Sequence, residues 1–357
     1  MAVKPGIYAA SVSIFKEDMS LDISNTISHA EKLILKEGCH GTVLLGSTGM
    51  AQYISSKEKK KLIDKAGSSE CKDNFVLGTG SNSLLENCEI IKHSLSNGIN
   101  RFLLMPPAYF SYPDSGVYKY FANIIERVPE IFIILYNFEK LCGYKFSVQV
   151  IEKLVKDFPA QIVAVKDSSY NLINTLDLDI LIFPGSELKL LEGLESGKCH
   201  GIISAVANIS SKISRQIYED HHNKKKQTLN NRNCAIRKIM DKHSLISSIH
   251  SFLTLEDKKY KVVLPPLSLL SKEQEKKMME ELKALDFFPE KIKNIAGKKL
   301  ARLPLQKMQK VIAKRVRYTR LLVFSLRIRL NVTQSVSISR YPQCLILLNI
   351  GKPQTQS

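Results

Sequence analysis

The segment that most constrains the fold is residues 131–170, where two apolar runs flank a stretch with helical periodicity. The runs are IFIILY at 131–136 and QIVAVK at 161–166, and neither alternates apolar with polar residues. Continuous apolar runs are typical of parallel strands that are buried on both faces of a sheet. Two such strands joined by a helix form a βαβ unit, so their carboxyl ends lie at the same edge of one sheet.

Each strand of this unit ends in a reactive side chain, Tyr136 on the first and Lys166 on the second. Burial at the end of an apolar strand disfavours the charged form of a lysine. A neutral amine beside a phenol is what Schiff-base chemistry on a carbonyl requires. The alternative is a strand-end lysine whose amine simply reaches solvent, and the rest of the chain must decide between the two.

The same alternation of apolar strand and amphipathic helix runs through the chain. The other predicted strands lie at 6–15, 41–45, 74–80, 101–105, 179–185 and 200–206. Eight alternations predict an α/β protein with the (β/α)8 barrel, or TIM-barrel, fold rather than an open doubly wound sheet. Shorter helical patterns near 210–243 and 272–285 predict a C-terminal helical extension packed on the barrel.

The basic charge of the chain is concentrated at its C-terminal end. The net charge is +18, but residues 291–357 contain 15 Lys or Arg and no Asp or Glu, which leaves 37 basic and 34 acidic residues before them. We therefore expect a barrel over 1–208, the helical extension over 209–288, and a poorly ordered basic tail over 289–357. The tail is either an added contact for nucleic acid or an anionic membrane, or an unselected extension, which its lack of acids favours.

The cysteines and histidines indicate neither disulfides nor a metal site. The seven cysteines form no C-x-x-C pair, and the eight histidines form no ligand-spaced cluster with them. The N-terminal residues do not have the pattern of a signal peptide, and no apolar run approaches the roughly 18 residues that span a bilayer. We therefore expect a cytoplasmic protein with reduced thiols.

Polar and reactive side chains follow the predicted strands at the carboxyl end of several of them. In a (β/α)8 barrel, the chemistry occurs in the loops at this rim. The candidates are Ser47 and Thr48 after the second strand, Tyr109 after the fourth, Tyr136 and Lys166, Gly185 and Ser186 after the seventh, and Ile203 and Ser204 at the eighth. Their convergence on one rim predicts an active site there.

Four motifs at this rim resemble those of the dihydrodipicolinate synthase and N-acetylneuraminate lyase family of class I aldolases, over residues 5–285. G-S-T-G at 46–49 resembles the family's loop for the carboxylate of a pyruvoyl group, and P-P-A-Y-F at 106–110 resembles its P-P-Y-Y segment. L-Y-N at 135–137 resembles the family's Y-N-x-P, and V-K-D-S-S at 165–169 resembles the strand with the imine lysine. The resemblance implies a lyase that acts on pyruvate and an aldehyde, needs no cofactor, and assembles as a homo-oligomer, either a dimer or a tetramer.

The resemblance also implies roles for individual residues. Lys166 would form an imine at C2 of a 2-keto acid, so that the C3–C4 bond breaks or forms through an enamine. Tyr136 would move protons, and Tyr109 matches a family tyrosine that reaches the site of a neighbouring subunit. The predicted catalytic residues are therefore Lys166, Tyr136, Tyr109 and Thr48, and the predicted substrate-binding residues are Ser47, Thr48, Gly185, Ser186 and Ile203.

Departures from the family pattern bear on the substrate. Met50 replaces the family's glutamate after G-[TS]-T-G, and Glu139 replaces the proline of Y-N-x-P. Leu141 stands where dihydrodipicolinate synthases have an arginine for the carboxylate of the second substrate, and Lys140 comes one residue early. This favours cleavage or formation of a 2-keto-3-deoxy sugar acid, as in the 2-keto-3-deoxygluconate aldolase branch. The alternatives are a 4-hydroxy-tetrahydrodipicolinate synthase acting on aspartate semialdehyde, an N-acetylneuraminate lyase, and a non-catalytic, basic-tailed binding protein.

Overall fold

The computed structural model describes residues 3–289, so the predicted basic tail lies outside the described residues from position 290 onward. Eight strands form the sheet: β1 (Gly6–Ala10), β2 (Gly41–Leu44), β3 (Phe75–Gly78), β4 (Arg101–Leu104), β5 (Phe132–Asn137), β6 (Ile162–Asp167), β7 (Leu181–Pro184) and β8 (Gly201–Ser204). All paired strands are parallel, in the order β7-β6-β5-β4-β3-β2-β1-β8. A hydrogen bond of 2.9 Å from His200 N to Ile182 O joins the two ends of this order. The predicted (β/α)8 barrel is confirmed.

Helices connect the strands and continue past the last one. They are α1 (Ile23–Leu35), α2 (Ser56–Gly67), α3 (Leu84–Ser96), α4 (Asp114–Arg127), α5 (Glu139–Cys142), α6 (Val148–Asp157), α7 (Leu190–Glu195), α8 (Ala207–His222), α9 (Asn230–Met240), α10 (Leu245–Glu256) and α11 (Lys272–Ala284). None of these helices is long and apolar enough to cross a bilayer. Because α8 spans the predicted boundary at 208/209, the division between barrel and extension runs through a helix and stays a prediction.

One predicted strand, and the segment after β6, are shaped by side chains that take up backbone N–H groups. The predicted strand at 6–15 ends at Ala10, since Val12 N donates to Asn208 Oδ1 at 3.1 Å and Ile14 N donates to Thr26 Oγ1 at 2.9 Å. The segment at 172–177, after β6, is a series of turns rather than a helix.

The turns after β6 are set by the carboxylate of Asp167. It accepts hydrogen bonds from the backbone N–H groups of Tyr170, Leu172 and Ile173 at 2.8–3.1 Å. These donors are therefore bonded to the Asp167 side chain, an alternative to the bonds of a regular helix. The Asp167 side chain therefore holds the segment after β6 as a turn.

Alternate residues of the strands face opposite sides of the barrel wall. One set forms a single buried cluster in the interior: Tyr8, Val43, Val76, Leu103, Ile134, Tyr136, Ala164, Phe183 and Ile203. Their chain neighbours pack against the helices: Ile7, Leu44, Leu77, Phe102, Ile133, Val165, Ile182 and Ile202. This filled interior closes the barrel below its carboxyl-terminal rim and leaves the rim as the place for a cavity.

The helices of the extension are attached to the barrel through a buried polar chain. Tyr260, after α10, lies 2.9 Å from Nδ1 of His29 on α1, and His29 Nε2 lies 2.9 Å from Asn208 Oδ1 on α8. Asn208 in turn donates to Ala10 O at 2.7 Å, at the end of β1. Asn208 Oδ1 can only accept, so His29 donates through Nε2. Burial lowers the pKa of His29 to about 4, so the ring is neutral at pH 7 and accepts at Nδ1 from the Tyr260 hydroxyl.

Candidate active site

Tyr136 and Lys166 lie directly opposite each other in the register of β5 and β6. Both side chains are buried, and Lys166 Nζ lies 4.2 Å from the centre of the Tyr136 ring. The phenol and the amine therefore meet at the carboxyl-terminal rim, as the βαβ unit predicts. This geometry places a nucleophile beside a group that can donate or accept a proton.

The register of these two strand ends is fixed by the residues that follow them. Asn137 Nδ2 donates to Asp167 Oδ1 and to Asn171 Oδ1, each at 2.8 Å. Asn137 and Asp167 are fully buried, so their amide and carboxylate must find partners inside the protein. The cross-strand bond holds the backbone immediately beside Tyr136 and Lys166 in one arrangement.

The G-S-T-G loop after β2 contacts the phenol through its serine. Ser47 Oγ lies 3.3 Å from Tyr136 Oη. Thr48 is buried beside it and lines the same cavity, but the described contact with the phenol is made by Ser47. The structure thus brings both predicted hydroxyls to the site, with Ser47 nearest to the proton-carrying group. The catalytic role of Thr48 stays a prediction.

A cavity of about 780 Å³ opens above these side chains. Six of the predicted residues line it: Ser47, Thr48, Tyr136, Lys166, Gly185 and Ser186. Ile203 is instead a fully buried member of the barrel interior. Tyr109 is 89% exposed, has a φ of 95°, and packs edge-on against Phe110 on the surface. A role for Tyr109 in a neighbouring subunit's site therefore stays a prediction.

A largely buried cation of this cavity, Arg237 on α9, was not predicted from the sequence. Arg237 Nη1 lies 3.2 Å from Glu187 Oε2, and its Nε lies 2.8 Å from Asp241 Oδ2. Arg237 also donates to Gly185 O at 3.2 Å and lies 3.4 Å from Ser204 Oγ. Burial opposes the guanidinium charge, but the two carboxylates outweigh it and raise the pKa of Arg237. The guanidinium is therefore permanently charged and already paired.

Tyr170 was also missed, although it stands only four positions after Lys166. It lines the same cavity and has a φ of 58°, in the left-handed region. The R-x-x-x-D spacing of Arg237 and Asp241 could have indicated an ion pair on a helix, but not that it faces the site. Tyr170 had no sequence signal, because its conformation depends on contacts made after folding.

The parallel barrel and the lysine–tyrosine pair at its rim define a class of protein, the Schiff-base-forming aldolases. The model of the Dihydrodipicolinate synthetase family matches residues 4–285. The chain belongs to that family and is a class I aldolase or lyase. The resemblance stated from the motifs is confirmed over nearly the same residues.

Individual relatives agree with this assignment. An uncharacterized DapA-like lyase of Thermococcus kodakarensis is 28% identical, over 76% of this chain and 97% of the relative. A 4-hydroxy-tetrahydrodipicolinate synthase of Methanococcoides burtonii is 34% identical, over 57% of this chain and 70% of the relative.

Solved structures show the same fold. Dihydrodipicolinate synthase from Agrobacterium tumefaciens superposes with a TM-score of 0.72 at 25% identity, covering 79% of this chain and 99% of that chain. A prophage protein of the dihydrodipicolinic acid synthase family from E. coli K12, in complex with pyruvate, has a TM-score of 0.72 at 22% identity, covering 80% and 100%. At 22% identity, the comparison with the prophage protein shows a similarity of fold alone.

Proposed function

We propose that this lyase cleaves, or forms, a 2-keto-3-deoxy sugar acid, with pyruvate as the product that is bound through Lys166. The proposal rests on which side chains around the cavity are positively charged and on whether those charges are already paired. Lys166 is the imine nucleophile, Arg237 is paired with Glu187 and Asp241, and Leu141 is uncharged. Among residues 3–289, the lining of the cavity therefore offers hydrogen-bonding groups but no uncommitted buried positive charge.

Aspartate semialdehyde carries a carboxylate that such a wall does not match. A buried carboxylate without a cationic partner loses several kcal/mol, because its desolvation is uncompensated. Lys140 lines the cavity, but it is exposed, and a pair in water contributes at most about 1 kcal/mol. A polyhydroxy aldehyde avoids this penalty, since its hydroxyls can pair with Ser186, Ser244 and Asp241.

The geometry supports the following steps. The amine of Lys166 adds to the C2 carbonyl, and Tyr136 protonates the hydroxyl that leaves as water, which gives an iminium and a phenolate. The phenolate of Tyr136, next to Ser47, takes the proton from the C4 hydroxyl as the C3–C4 bond breaks. The bonding electrons move to the iminium nitrogen, the aldehyde leaves, and an enamine remains. Protonation of C3 and hydrolysis release pyruvate and return the free amine.

A second candidate function is condensation of pyruvate with aspartate semialdehyde. The 34% identity to a 4-hydroxy-tetrahydrodipicolinate synthase favours it. Steady-state rates for both reactions on one preparation separate the two. Faster cleavage of 2-keto-3-deoxygluconate supports the proposal, and faster condensation would mean that Lys140 or another group replaces the missing arginine.

We further propose a homo-oligomer, a dimer or a tetramer, because Tyr109 and Phe110 form an exposed aromatic pair beside the rim. A cytoplasmic location accords with the six free cysteines among the described residues. Sedimentation analysis of the full chain tests the assembly, and a monomer at micromolar concentration would contradict it.

A further inference from the structure

Tyr170 combines a conformation that tyrosine disfavours with a place in the active-site cavity. Its φ of 58° lies in the left-handed region, where a bulky side chain is a backbone outlier. Its side chain is 38% exposed and lines the cavity above Lys166. Outliers of this kind persist where the surroundings impose them, and they cluster at ligand sites.

The contacts on either side of Tyr170 impose this conformation. Its N–H donates to Asp167 Oδ1 at 2.8 Å. The next residue, Asn171, accepts from Asn137 at 2.8 Å and donates to Phe146 O at 3.0 Å. The same buried network fixes the strand ends that carry Tyr136 and Lys166. The backbone of Tyr170, from which the side chain starts, is therefore held at a set position relative to the reacting groups.

Tyr170 lines the cavity together with Ser186 and Arg237. The positive charge of Arg237 and the nearby Ser186 hydroxyl each lower the pKa of the phenol. Desolvation outweighs both effects and raises the pKa of Tyr170, so the phenol stays protonated at neutral pH. The wall thus presents a neutral O–H beside a hydroxyl, next to an arginine that is already paired.

We propose that Tyr170 is a specificity-determining residue that binds hydroxyl groups of the aldehyde portion of the substrate. The inference rests on the proposed sugar-acid aldolase function and adds the group that recognises the non-reacting end. A phenol can donate to one hydroxyl and accept from another, and it carries no charge that would favour an acidic aldehyde. A site built to hydrogen-bond a hydroxyl discriminates against analogues that lack it.

The test uses two aldehydes of equal carbon number in the condensation direction. Glyceraldehyde carries hydroxyls at both non-carbonyl carbons, and propionaldehyde carries none. In Tyr170→Phe, which keeps the ring and its packing, KM for glyceraldehyde should rise about threefold to tenfold, the factor that one neutral hydrogen bond supplies. KM for propionaldehyde and the melting temperature should not change.

The matched control is Tyr118→Phe, which removes a phenol that bonds Asp157 at 2.7 Å on the outer helices. It should leave both KM values unchanged. Equal changes for the two aldehydes in Tyr170→Phe, or no change for either, would overturn the specificity role. Borohydride trapping of pyruvate on the wild-type chain is measured in parallel. If no adduct forms on Lys166, the proposed function fails, whereas an adduct without the KM difference fails only the role of Tyr170.

Discussion

The two sides of the cavity are built in different ways. On one side, Tyr136 and Lys166 stand at the ends of adjacent barrel strands, in register and beside a buried Asn137–Asp167 bond. On the other side, Arg237 comes from a helix of the extension, and Tyr170 comes from a strained turn. In the proposed function, the strand side supplies the groups for imine chemistry, and Arg237 and Tyr170 face the rest of the substrate. We therefore expect substitutions on the two sides to change reaction type and substrate choice separately.

The strand side is tested most severely by removing the amine. Lys166→Ala should abolish turnover, because no other described lysine lies against Tyr136. Borohydride reduction with pyruvate, followed by peptide mass mapping, should show no adduct in this variant. Lys140→Ala is the control, since it removes a lysine that lines the same cavity and should keep the adduct. An adduct that persists on another lysine in Lys166→Ala would contradict the assignment.

Tyr136→Phe should have the next largest effect. It keeps the ring beneath Lys166 and removes only the hydroxyl that contacts Ser47. Loss of a general acid–base group costs about 10²–10⁴ in kcat, while imine formation should survive in part. Single-turnover trapping and steady-state kcat measure the two separately. A kcat equal to that of wild type would show that Tyr136 serves only for packing.

The sequence predicts the strand side of the cavity better than it predicts the other side. Apolar runs such as residues 131–136 predict buried strands, and strand order then places Tyr136 beside Lys166 without further information. Arg237 donates to a carbonyl 52 positions earlier, at Gly185, and no local pattern encodes that contact. Tyr170 has its conformation only because Asp167 captures its N–H. Long-range contacts of single side chains are the part that periodicity cannot predict.

The buried polar chain that attaches the extension to the barrel predicts how the free energy of unfolding depends on pH. Burial lowers the pKa of His29 to about 4, below its unfolded value near 6.5. The unfolded chain then binds more protons between these values, so the free energy of unfolding falls as pH drops from 6.5 towards 4. Between pH 7 and pH 5, His29 should contribute a loss of about 2 kcal/mol.

Urea unfolding of wild type and His29→Gln at the two pH values measures this contribution. Glutamine can pair with Tyr260 and Asn208 but does not titrate, so the variant should lose less stability at pH 5 than wild type does. Other buried histidines, such as His40 and His250, contribute equally to both chains and cancel in the difference. The same pH dependence in both chains would mean that the pKa of His29 is the same in the folded and the unfolded state, so that burial does not lower it.

The smallest effect is expected on the extension side, and it tests why the cavity favours a neutral aldehyde. Asp241→Asn removes one of the two carboxylates that pair with Arg237, while Glu187 remains at 3.2 Å. The guanidinium then gains unsatisfied positive charge towards the cavity, which should attract the carboxylate of aspartate semialdehyde. The ratio of kcat/KM for this aldehyde to that for glyceraldehyde should rise about tenfold, with pyruvate trapping unchanged. Asp157→Asn, which breaks a surface pair with Lys153, should leave the ratio as it is. An unchanged ratio in Asp241→Asn would mean that the pairing of Arg237 does not set substrate choice, and that selectivity must come from Leu141 or Tyr170 instead.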